Sequence, residues 1–122
     1  MTANVSPQLP FRPCGNTVRI AAVTPTPPTA VQLALFAGEV QVLQVRIRIS
    51  SAATGDVTIG WGGTAAEALA NAVLPTAATA GTKSILMSAG TIEVMTFPPG
   101  TYFTALSSAG TINVDMTPGD GP

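Results

Sequence analysis

Six carboxylates, five cations, one cysteine, one tyrosine and no histidine make up the ionisable side chains of this 122-residue sequence. Without histidine the chain lacks the usual general base, the Ser-His and Cys-His nucleophilic pairs, and the commonest zinc ligand. A serine nucleophile with a lysine base would need Lys83, the only lysine, and its neighbour Ser84. Adjacent residues of a strand face opposite ways, so those two side chains diverge. Among the acids Glu39, Asp56, Glu67, Glu93, Asp115 and Asp120, the pair Asp56 and Asp115 is the one that a sheet could bring together. A carboxylate dyad or a glycosidase requires such a pair. Asp56 starts a strand after a glycine turn, however, and Asp115 falls on a wet face, so both read as solvated carboxylates. No Asp-x-Asp spacing supports a calcium loop.

Gly60-Trp61-Gly62-Gly63 lacks the lysine and spacing of a phosphate loop, and reads as a glycine-rich strand exit. Trp61 continues the phase of Val57 and Ile59, which favours a core or interface anchor over a sugar platform. Cys14, in Phe11-Arg12-Pro13-Cys14-Gly15, has a cation nearby but no base, and is read as a buried or interfacial thiol. A single cysteine allows no intrachain disulfide. No catalytic residue, cofactor or metal site is assigned, and the chain is expected to be a non-enzyme.

The elements that would position any site are mainly strands. Leu43, Val45, Ile47 and Ile49 alternate with Gln44, Arg46, Arg48 and Ser50 within 40–50, giving one buried and one wet face. Similar alternation predicts strands over 17–23, 31–35, 56–61, 83–87, 91–97, 101–106 and 111–116. Turns are expected at Ala37-Gly38, Ala53-Thr54-Gly55, Ser88-Ala89-Gly90, Pro98-Pro99-Gly100 and Ser107-Ser108-Ala109-Gly110. Thr64-Ala65-Ala66-Glu67 is a capping box opening a two-turn helix that Pro75 stops, and the Thr/Ala/Gly run to Gly81 reads as a surface loop. About eight antiparallel strands with one short helix in a connection predict an all-β fold, a β-sandwich or jelly roll. Pro7, Pro10 and Pro13 mark residues 1–16 as an extended arm, leaving a domain over 17–117 and a tail over 118–122.

Length and composition fit one such domain: apolar residues make up 46% and charged residues only 9%. A surface so poor in charge is either covered by partner subunits or draws its polarity from the abundant Thr, Ser, Asn and Gln. A net charge of -1, with Arg12, Arg19, Arg46, Arg48 and Lys83 dispersed, argues against nucleic-acid binding. The longest apolar runs fall far below the ~20 residues of a membrane span. Met1 to Cys14 lacks the regions of a secretory signal, so a soluble product made in a cytoplasm is expected. The arm residues Pro10, Phe11, Arg12 and Pro13, together with Trp61, are the candidate partner interface.

The closing segment from Gly100 to Gly121 has a Gly-Thr-aromatic strand, a Ser/Gly turn, a Thr/Asn/Val strand and a Thr-Pro-Gly-Asp end. It resembles the end of small tailed-bacteriophage virion proteins over about the last fifth of the chain. The resemblance implies a capsid decoration (cement) protein that clamps neighbouring copies of the major capsid protein. It also implies a homo-oligomer, a trimer or dimer, on the capsid surface of a virion, synthesised in the host cytoplasm. No family site residue carries over. A carbohydrate- or receptor-binding module of a phage tail fibre is the alternative.

Overall fold

A computed structural model describes residues 11–35, 43–52, 54–76 and 83–120. Pro10, the Ala37-Gly38 reversal, Ala53 and most of the run to Gly81 lie outside the described residues. Eight strands and one helix follow in the order β1 (Val18–Ala22), β2 (Val31–Gln32), β3 (Leu43–Ile49), β4 (Asp56–Gly62), α1 (Ala65–Asn71), β5 (Ser84–Ser88), β6 (Ile92–Phe97), β7 (Tyr102–Ser107) and β8 (Ile112–Asp120). They form two four-stranded sheets, β1-β8-β3-β6 and β2-β7-β4-β5, in which every neighbouring pair is antiparallel. Apart from β4 and β5, successive strands switch sheets, which gives the strand order of a jelly roll.

Burial along β3 alternates strictly, with Leu43, Val45, Ile47 and Ile49 inward and Gln44, Arg46 and Arg48 half-buried outside. β8 supplies Ile112, Val114 and Met116 to the same interior, and Val57, Ile59, Phe103 and Ala105 come from the other sheet. Three rings bind the layers: Phe97 meets Phe103 edge to face at 4.9 Å between centroids, and Trp61 at 5.2 Å.

The outer faces of the two sheets differ. On β2-β7-β4-β5, helix α1 lies across β4 and buries Ala68, Asn71 and Ala72 there. Gly60 permits the close approach, because a Cβ there would fall 2.5 Å from the Ala72 nitrogen. The chain before β2 covers β7, where Thr104 Oγ1 donates to the Pro28 carbonyl at 2.7 Å. The outward residue Thr58 is therefore as buried as the inward ones beside it.

Among the described residues, the outer face of β1-β8-β3-β6 carries no such layer except at one end, where the Phe11 ring lies on Gly119. Pro13 bridges to Gly119, the Cys14 amide donates to the Pro118 carbonyl at 2.9 Å, and Gly15 bridges to Leu35. Residues 13–15 and 118–120 thus belong to the sandwich, and the boundaries at 16 and 118 shift outward. Pro118 is tolerated inside β8 because β1 has already ended beside Met116, and its carbonyl rather than its nitrogen meets Cys14.

Candidate functional site

The capping box sets the geometry where β4 passes into α1. Thr64 Oγ1 accepts from the Glu67 amide at 3.1 Å. The Glu67 carboxylate reaches one residue further back than a capping box predicts, accepting from the Gly63 amide at 2.7 Å, while Lys83 Nζ donates to its other oxygen at 3.0 Å. The Gly63 amide first, and then Lys83, hold this carboxyl below its ordinary range. Lys83 is thereby paired with an acid of α1.

Lys83 also rims a cleft of about 210 Å³ lined by Trp61, Gly62, Gly63, Pro98, Pro99, Gly100 and Thr101. Trp61 is half-buried, with its inner edge on Phe97, and the cleft lies along the same residue. Its core-anchor and surface readings therefore both have a place in the fold. The Thr101 hydroxyl is already committed to the Pro98 carbonyl.

Asp56 and Asp115 sit in different sheets, on β4 and β8, so they do not form a pair. Asp115 is instead the hub of a charge cluster on the outer face of β1-β8-β3-β6. Arg19 Nε donates to Asp115 Oδ1 at 2.8 Å and its second nitrogen to Oδ2 at 3.2 Å, while Arg48 adds a contact at 3.3 Å. The antiparallel registers create this row, with Arg19 opposite Asp115 and Asp115 opposite Arg48. Arg19 and Asp115 are 96 residues apart, so no local pattern in the sequence announces the cluster.

The Arg19 hydrogen bond is the main influence holding the Asp115 carboxyl below its usual range, against a smaller upward push from burial. A depressed carboxylate stabilises the fold above its unfolded-state pKa of about 3.9, and that contribution fades as pH falls through the lower folded value. Asp115→Asn is expected to lower stability by about 1 kcal/mol at pH 7, since Arg19 is well exposed and solvent screens the pair. Chemical denaturation of both proteins from pH 7 to pH 3 should show the gap closing in acid. A gap independent of pH would mean that the charge is not what the asparagine removes.

The candidate interface residues take these places. Phe11 is half-buried on its own chain's Gly119, Arg12 and Pro13 are exposed beside it, Trp61 lies at the cleft, and Pro10 falls outside the described residues. Cys14 is half-buried and forms no disulfide. Among the described residues, no three His, Cys, Asp or Glu side chains cluster as metal ligands, and no helix is long and apolar enough to cross a membrane. Comparison with protein-family models, with curated proteins and with solved structures finds no match to this chain.

Proposed function

We propose that this chain is a non-enzymatic virion structural protein, a capsid decoration (cement) protein that binds and stabilises the major capsid protein lattice. The observation that supports the reading is a jelly roll with one sheet covered by its own helix and, among the described residues, the outer face of the other largely uncovered. Jelly rolls serve in viral capsids and in lectins, and fold alone does not choose between these. Low charge and the resemblance of the closing segment favour the capsid. That segment forms β7 and β8, so it builds the middle of both sheets.

Purified protein is expected to co-sediment saturably with expanded capsids and to run as a dimer or trimer in light scattering. A monodisperse monomer that leaves capsids bare at high concentration refutes the proposal. Removing residues 1–10 tests the arm without cutting the stitched segment 13–15, and undiminished capsid binding by that truncation would make the arm incidental.

The Trp61 cleft favours a second reading, a glycan- or receptor-binding module of a tail fibre. Quenching of Trp61 fluorescence by an oligosaccharide would support it, and a glycan array at background would remove it.

A further inference from the structure

The outer face of β1-β8-β3-β6 gathers most of the chain's arginines. Arg19, Arg46 and Arg48 all lie on it, three of the chain's five cations, with Asp115 as the carboxylate among them. A local positive excess thus sits on a chain of net charge -1. The Arg19–Asp115–Arg48 cluster occupies one row. In the next row Arg46 lies between Thr117 and Val94, and makes no ion pair with a described residue. Along the same face β6 presents Ile92 and Val94, exposed to 48% and 43%, opposite Arg48 and Arg46.

Each of these exposed β-branched residues is thus the cross-strand partner of an arginine. Arginine beside apolar contact area is the composition of protein interfaces, where its planar fork meets carboxylates with two hydrogen bonds. The free edge of β6 is a poorer site for an added strand. Glu93 projects to the inner side there, opposite Ile47, as edge-guarding acids do. Contact through the face, not the edge, is what this arrangement suits.

We infer that the outer face of β1-β8-β3-β6 docks a protein surface that pairs carboxylates with apolar side chains, with Arg46 and Val94 at the centre. The face is argued from charge and exposure; that the partner is the capsid lattice rests on the reading above.

The test uses two probes, a chromatography matrix bearing carboxylate and phenyl groups at pH 7, and expanded capsids. The proteins are the unmodified chain, Arg46→Glu, Val94→Asp, and Lys83→Glu, which changes the charge equally but far from the face. Circular dichroism and thermal melts verify folding, and Arg46→Gln, Val94→Ser or Lys83→Gln replaces the variant at the same position that fails them. Retention of the unmodified chain and about tenfold weaker capsid binding by Arg46→Glu and Val94→Asp are expected. Lys83→Glu should bind as the unmodified chain does. Equal loss with Lys83→Glu, or equal capsid binding by all variants, overturns the docking face and leaves the capsid reading standing. Arg46-dependent retention on the matrix without capsid binding does the reverse. Failure on both probes overturns both. Arg46-dependent capture of duplex DNA that ignores Val94→Asp would overturn a protein partner in favour of a polyanion.

Discussion

Phe103→Ala is expected to lower the stability of this domain by about 3–5 kcal/mol, read as a fall in the urea midpoint at constant slope. Phe103 has no solvent exposure and lies under Phe97, which in turn meets Trp61, so the three rings form one chain through the core. Truncating the innermost ring leaves a void that its neighbours cannot fill, because β4 is fixed from outside by α1 and β3 is fixed by strands on both sides. Loss on this scale is a large fraction of the ~5–15 kcal/mol that holds a domain together. A cost under about 1 kcal/mol would show that the layers are held elsewhere.

Gly60→Ala is the second large effect, about 2–3 kcal/mol for a single added methyl group. That methyl would meet the Ala72 nitrogen at 2.5 Å, the Ala72 Cα at 2.7 Å and the Ala68 carbonyl oxygen at 2.8 Å. All three are backbone atoms and have no rotamer to yield. The helix must lift from β4, straining the bond from Asn71 Nδ2 to the Trp61 carbonyl. Gly63→Ala is the control, since its Cβ would stand 3.7 Å from Glu67 Oε1 and its amide is kept, so it should fall within about 0.5 kcal/mol of the parent. Equal costs at the two glycines would mean that strand propensity, not contact with the helix, sets the penalty.

These two sites mark how far the sequence could be read. The interior of β3 was legible residue by residue, because one face is wet and the other dry. β4 was only half legible. The phase of Val57, Ile59 and Trp61 was visible, but Gly60 and Gly62 face a helix, and an absent side chain looks the same under a helix as in water. The missing side chains at Gly60 and Gly62, opposite a tryptophan and just before a capped helix, are the signal that would have placed α1 on that face. Strand order was out of reach, because β1 pairs with β8 and β2 with β7 across most of the chain.

The candidate site divides the same way. Arg46 and Arg48 are legible on the polar side of β3 from alternation alone. That Arg19 joins them through Asp115 depends on the β1–β8 and β3–β8 registers, and nothing in the order of residues fixes these. The prolines mark an extended arm in the sequence, but they do not show that Pro13 and Pro118 sit where ladder bonds are not required, nor that Phe11 lies half-buried on Gly119.

β8 lies between β1 and β3, so the ribosome delivers the middle of one sheet after both of its flanks. Until residues 112–120 emerge, β1 has no neighbour in its sheet, β3 has one bare side, and the apolar row from Leu43 to Ile49 lacks half its covering. A nascent chain paused before that point is an open seam inviting wrong strands, and closure waits on contacts spanning about a hundred residues. Synthesis of residues 112–120, or a chaperone that shields the seam until they arrive, therefore bears directly on how this sheet closes.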